Sequence, residues 1–272
     1  MLLVTTIIQA YLKVKLIHFK ATNWVDLQYG GTLPKVRECI LVKKIGMIGG
    51  FGPESTLEYY RLLIDEYRQR KGAVSLPEII IYSMDMYALH NLMEQKRWDD
   101  VTEFLLKGVN ALHKAGADFG IISANTPHIV YDRLESLSPI PLISIVEESS
   151  KKAKEIGLQR VGLLGTSFTM RASFFQKVFA NNNISIVVPN EKEQDFIHHK
   201  LMTEIELGQF LERTRDGLLT IVRRMLEEDL IDGVILGCTE LPLILTKDEF
   251  HIPFLNTTKI HVKSAITYCL TD

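Results

Sequence analysis

The chain has 272 residues, of which 46% are apolar and 24% charged, with a formal charge of −2. This is the composition of an ordinary globular chain, long enough for one large domain or two of about 110–120 residues each. Interspersed charges of both signs leave no basic stripe for nucleic acid. No apolar run approaches the ~20 residues that a membrane-spanning helix needs.

Residues 1–42 read differently from the rest. Leu2–Ala10 is apolar, but no basic stretch precedes it and no convincing cleavage site closes it, so the segment reads as an extension outside the core rather than a signal peptide. From Lys43 onward, short β-branched runs alternate with helical periodicity, the pattern of an α/β fold with mostly parallel strands. Ile45–Gly49 is predicted as a strand. Glu54–Arg70 is predicted as a helix opened by Pro53, with Leu57, Tyr60, Leu63 and Ile64 on its apolar face. A strand follows at Glu78–Ser83. The next helix, Trp98–His113, carries Val101, Phe104, Leu105, Val109 and Leu112 along one side. Further strands are predicted at Phe119–Ser123, Leu142–Ile145, Arg160–Leu164, Ile184–Val188, Gly233–Leu236 and Pro253–Leu255. The basic clusters Lys151–Lys154 and Arg223–Arg224 read as solvated helix faces.

Two pairs of segments look like copies. Lys44–Gly49 parallels Arg160–Gly165, an offset of 116 residues, and Asp118–Thr126 parallels Asp232–Glu240, an offset of 114. The shared order and near-equal offset predict a tandem duplication. The first α/β lobe is expected over 43–142, completed by 253–272, and the second over 143–252. Because ligands bind beyond the carboxyl ends of parallel strands, Ala124–Thr126 and Cys238–Glu240 are expected to converge on one cleft.

Three segments carry candidate chemistry. Gly49-Gly50-Phe51-Gly52-Pro53-Glu54-Ser55-Thr56 lies at a strand-to-helix turn, where backbone N–H groups can approach an anion such as a substrate carboxylate; a tight packing turn is the plain alternative. Its glycine spacing is not that of a dinucleotide site. Asn125-Thr126-Pro127-His128 ends a buried-looking strand and reads either as a helix cap or as polar contacts for a ligand, with His128 a less favoured proton carrier. Cys238-Thr239-Glu240 ends another strand, where a cysteine is either a small buried apolar residue or a thiol whose pKa the adjacent helix start lowers. Cys39 and Cys269 read as incidental. Three cysteines without regular spacing fit a reducing cytosol, hence a cytoplasmic protein, and no recognisable zinc-ligand spacing is present.

Taken together, Gly49–Thr56, Tyr59-Tyr60-Arg61, Asn125-Thr126-x-His128, Leu164-Gly165-Thr166, Leu207-Gly208-Gln209-Phe210 and Gly237-Cys238-Thr239-Glu240 resemble the aspartate/glutamate racemase family. The similarity runs from about Lys43 to the C-terminus, and Ser83-Met84-Asp85 and Trp98 align with its L-aspartate/glutamate-specific branch. The resemblance implies two similar lobes with mostly parallel sheets, related by a pseudo-twofold, around an inter-lobe active site. It also implies isomerase activity on an amino acid or dicarboxylate without pyridoxal phosphate or any other cofactor, and a homodimer as in many members. Two cysteines on opposite faces of the α-carbon exchange its proton in this family. Cys238 takes one of those places. The resemblance puts Asn125, Thr126 and Thr239 as donors to the substrate, with Phe51 and Gly52 of the glycine loop and Glu240 beside it.

The sequence departs from that pattern twice. The first family cysteine aligns with Ala124, which exchanges no proton. Ser123, Thr126, His128 or a water are the candidates to replace it, and slow or asymmetric racemisation is expected. Nor is there a counterpart to the basic residues that hold a side-chain carboxylate, since the corresponding stretches read Asp85–Leu89 and Glu204-Ile205-Glu206. Two other functions fit one thiol. One is a decarboxylase or isomerase of small carboxylic acids; the other is an amino-acid-binding protein that has lost catalysis.

Overall fold

Eight short strands make two four-stranded sheets, and every strand pairing within them is parallel. A computed structural model describes residues 42–271. The expectations for the extension, Cys39 included, lie outside those residues, apart from Val42, which packs against the core. The first sheet holds β1 (Ile45–Gly49), β2 (Ile79–Ser83), β3 (Phe119–Ile122) and β4 (Leu142–Ile143) in the order β2-β1-β3-β4. The second holds β5 (Arg160–Leu164), β6 (Ser185–Val187), β7 (Gly233–Leu236) and β8 (Phe254–Asn256) in the order β6-β5-β7-β8. The two orders are the same. The central strands β1, β3 and β7 are buried along their whole length, which explains why they read as unbroken apolar runs rather than alternating ones.

The duplication extends to single hydrogen bonds. The Asp118 carboxylate accepts from the backbone N–H of Lys44 at 2.6 Å, and Asp232 accepts from those of Gln159 and Arg160 at 2.7 and 3.0 Å. Each aspartate thus clamps the start of the neighbouring central strand, β1 or β5. An acidic side chain is needed twice because a free backbone N–H at a strand start wants an acceptor.

Helices cover both faces: α1 (Pro53–Lys71), α2 (Met86–Glu94), α3 (Trp98–Lys114), α4 (Tyr131–Leu137), α5 (Ile145–Glu155), α6 (Ser167–Arg171), α7 (Phe174–Ala180), α8 (Glu191–Thr203), α9 (Glu212–Glu228), α10 (Leu241–Ile244) and α11 (Thr257–Leu270). Single 3₁₀ turns lie at Thr126–Val130 and Ile205–Leu207. Helix α3 buries the face its spacing predicts. Helix α1 does not. Leu57 is 63% exposed and Tyr60 45%, while Tyr59, Leu63 and Tyr67, four residues apart, face the core. That i, i+4 row, which keeps Leu63 of the predicted face, lies against α11 and the first sheet.

Strand ends also shift. The strand predicted to reach Ile145 stops at Ile143, because the Ser144 hydroxyl accepts from the Glu147 N–H and caps α5. The last strand runs 254–256 and pairs with β7 in the second sheet. The segment expected to complete the first lobe therefore divides. Its strand joins the second sheet, and α11 packs on α1 and α5. One core cluster around α11 joins Ile45, Met47 and Phe119 of the first sheet to Leu163 and Ile235 of the second. The basic pair on α9 is more engaged than a solvated face. Arg224 bridges Glu193 and Asp229, and the Arg223 guanidinium lies 5.1 Å from the centre of the Phe250 ring.

Candidate active site

The carboxyl ends of β1, β3 and β7 point at one cavity of about 50 Å³. Its first-sheet wall is Phe51 from the glycine loop, Ala124-Asn125-Thr126-Pro127 after β3, and Met86, Leu89, His90 and Met93 from α2. Its second-sheet wall is Thr166 after β5, Glu206 from the second 3₁₀ turn, and Gly237-Cys238-Thr239-Glu240 after β7. The two loops expected to converge do so. The space is roomy enough to hold water. A wider groove of about 1040 Å³, lined by Trp98, Arg133, Phe168 and Arg171 among others, shares Met93 with the cavity. No thiol lines it.

Cys238 is 6% exposed, and its Sγ–H donates to Glu240 Oε2 at 3.0 Å. The Thr239 hydroxyl donates to the same oxygen at 2.9 Å. Of the two readings of this cysteine, the lowering of its pKa by a helix start does not hold. Burial first, then the carboxylates of Glu240 and Glu206, push it well above the ordinary thiol range. Helix α10 spans only four residues and begins beyond Glu240, so its dipole has little to offer against two acids. Burial likewise raises Glu240, partly offset by the bonds from Cys238 and Thr239. Burial and the neighbouring Glu240 push the Glu206 carboxyl up to about 7.

The glycine loop is shaped by Glu240 rather than by an open anion site. Gly52 caps α1 at φ 101°, and a Cβ built there would stand 2.5 Å from Glu240 Oε1. The carboxylate lying against this helix start is therefore the protein's own. Gly50, at φ 88°, leaves no room for a side chain against the Met84 backbone, and its N–H donates to Thr56 Oγ1 at 2.9 Å.

Asn125 is 3% exposed. The Thr257 hydroxyl donates to the Leu236 carbonyl at 3.0 Å, so toward Asn125 it can only accept, which it does from Nδ2 at 3.2 Å. That fixes the amide orientation and leaves Asn125 Oδ1 buried without a partner. Thr126 Oγ1 lies 3.1 Å from Thr169 Oγ1 and 3.4 Å from Thr166 Oγ1, a hydroxyl cluster that ties the first-sheet loop to the second sheet.

His128 does not reach the cavity. Its Nε2 accepts from the Ile145 N–H at 3.4 Å and its Nδ1–H donates to the Ala124 carbonyl at 3.1 Å, while the ring stacks on Tyr131. Burial, with His261 beside it, pulls its pKa down to about 3. It is a neutral anchor for the 124–128 loop. Ser123 is fully buried and donates nothing into the cavity; its hydroxyl lies 3.5 Å from Thr56 Oγ1. Of the side chains named to replace the missing cysteine, Thr126 alone lines the site. Cys269 seals the end of α11, its Sγ donating to the Lys43 carbonyl at 3.0 Å, and burial raises its pKa to about 11.

Two residues escaped sequence reasoning. His90 lies on a helix with no motif around it, and half-burial lowers its pKa. Glu206 was noticed as an acid in place of an expected base, but nothing in the sequence placed it beside Cys238. The ligand atoms of Glu206, Cys238 and Glu240 lie within 4.8 Å of one another, the one set among the described residues that could hold a divalent cation.

A family profile described as Asp/Glu/Hydantoin racemase matches residues 48–265. The chain belongs to that family. It is 32% identical to an aspartate racemase homologue from Pyrococcus horikoshii OT3, with a TM-score of 0.74 over 84% of this chain and 99% of the other. It is 25% identical to the broad specificity amino-acid racemase RacX of Bacillus subtilis (strain 168), over 82% of this chain and 96% of that protein. The aspartate racemase of Picrophilus torridus, 20% identical with a TM-score of 0.69, shares the fold over 83% of this chain and 94% of its own. The two all-parallel sheets are thus those of the racemase two-lobe fold. Among the described residues, no helix is long and apolar enough to cross a membrane.

Proposed function

We propose that the chain is an amino-acid racemase that moves the α-proton without a cofactor, with Cys238 serving one face of the α-carbon. The observation carrying this reading is that Cys238 and the 124–126 loop, delivered by different sheets, line the same cavity. Glu240, in hydrogen-bond contact with the thiol, takes its proton. The thiolate then removes the α-proton, and the carbanion is reprotonated from the opposite wall. Solvent exchange restores the enzyme. A substrate ammonium beside Glu240 offsets part of the negative charge that holds the thiol protonated, so thiolate forms when substrate is in place.

The usual partner cysteine is replaced by Ala124. On that wall His90 is the one ionisable side chain among the lining residues, and we assign it the second proton. An unactivated hydroxyl such as Thr126 is a far poorer acid and base. Asn125, Thr126, Thr239 and Phe51 then position the substrate, while Gly52 makes room for Glu240, which acts on the thiol.

Incubation with an amino-acid panel in deuterated water tests the reading. Loss of the α-proton signal together with appearance of the enantiomer on chiral chromatography supports it. Absence of both across the panel sinks it. Ala124 also favours a second reading, a single-thiol decarboxylase of small carboxylic acids, which would release carbon dioxide and give one enantiomer irreversibly.

A further inference from the structure

The cavity is built from acceptors. Glu206 and Glu240 each bring a carboxylate, and Asn125, which also lines it, keeps a buried Oδ1 that has no partner among the described residues. Among the described residues, no lysine or arginine lines it; the remaining polar groups are hydroxyls, the Cys238 thiol and the His90 imidazole. A second substrate carboxylate would join Glu206 and Glu240 in a partly desolvated space where, among the described residues, no lysine or arginine meets it. A second ammonium would meet carboxylate instead. Buried charges are tolerated only when paired in this way.

We propose that Glu206 and Glu240 make this site selective for amino acids with a cationic side chain and turn dicarboxylic amino acids away. The inference deepens the racemase reading and rests on it for the reaction. Glu206 is the specificity-determining member, because Glu240 is already committed to Cys238 and Thr239. In the free protein the mutual repulsion of the pair and their burial are relieved by protonating Glu206, whose carboxyl stands at about 7. Binding a cation removes the reason for that proton, so binding near neutral pH releases it.

The test compares L-lysine, L-norleucine and L-glutamate on the full chain, both as racemisation substrates and as ligands by calorimetry. The wild-type protein is expected to favour lysine over norleucine, and norleucine over glutamate, by tenfold or more in kcat/KM at each step. Lysine binding at pH 7 should release protons, read from its dependence on buffer ionisation enthalpy. Glu206→Gln should narrow the lysine-to-norleucine ratio about tenfold. Glu206→Arg should shift the lysine-to-glutamate ratio at least a hundredfold toward glutamate, a gain that an unfolded variant cannot mimic. A wild-type preference for glutamate or norleucine, or ratios unmoved in both variants, would overturn the proposal. Selective lysine binding without racemisation of any panel member would instead refute the racemase reading and leave the selectivity standing.

Discussion

The Cys238 thiol donates to Glu240 Oε2 across 3.0 Å, and the same carboxylate lies against Gly52 at the start of α1. The thiol that follows one sheet is therefore held by an acid that leans on the glycine loop of the other. With no cation beside it, this acid keeps the thiol protonated.

Alkylation of Cys238 by iodoacetamide should accordingly be slow at pH 7 and still rising at pH 9. Negative charge at Glu240 raises the thiol pKa, so removing that charge lowers it and increases the thiolate fraction. Glu240→Gln should speed alkylation at pH 7.5 measurably over the wild-type rate. Racemisation should fall in the same variant, because the thiol loses its proton acceptor. Mass spectrometry of the labelled peptide against time reads the first effect.

Ala124 lines the cavity on the wall facing Cys238 and is 8% exposed, so a cysteine there displaces little. Ala124→Cys should raise the racemisation rate by tenfold or more and bring the two directions closer to equal. Cys238→Ser should lower it by about a thousandfold, since a hydroxyl far above neutrality replaces an ionisable thiol. Chiral chromatography from each pure enantiomer gives both numbers.

Gly52→Ala places a methyl 2.5 Å from Glu240 Oε1, at a φ of 101° that side chains rarely adopt. Strain of about 1–2 kcal/mol is expected in urea unfolding. Turnover should drop by more than that strain accounts for, because Glu240 must swing away from Cys238. Gly72→Ala is the control. It too has positive φ, but open space surrounds its missing Cβ and it lies far along α1 from the site. It should show the strain and keep the activity.

Two buried imidazoles should make the fold acid-labile. Burial holds His128 at about 3 and His261 at about 4, both below the unfolded value of about 6.5. Above pH 6.5 both are neutral in either state and their contribution is complete. Below it the unfolded chain takes up protons the folded one refuses. Stability is then lost at up to about 1.4 kcal/mol per pH unit per imidazole until the folded pKa values are reached. Urea midpoints between pH 7 and 4.5 should fall accordingly, and His128→Gln should flatten the slope.

Much of this protein is local in origin and was therefore legible in its sequence. The unbroken apolar runs of β1, β3 and β7 mark strands buried on both faces. The repeated Asp118 and Asp232 segments mark a duplication, and the Gly-Cys-Thr-Glu run after β7 marks a strand end that lines the cavity. The face of α1, the fate of strand 254–256 and the anchoring role of His128 were not legible, because each depends on what packs opposite. The pKa of Cys238 reversed direction for the same reason. A sequence displays the neighbouring helix start, while the field at the sulfur is summed over burial and acids that include Glu206, 32 residues away in the chain. The sequence determined which groups are available; only the packing of two sheets decided which of them share a space with the thiol, since electrostatics acts through distance and desolvation rather than through order along the chain.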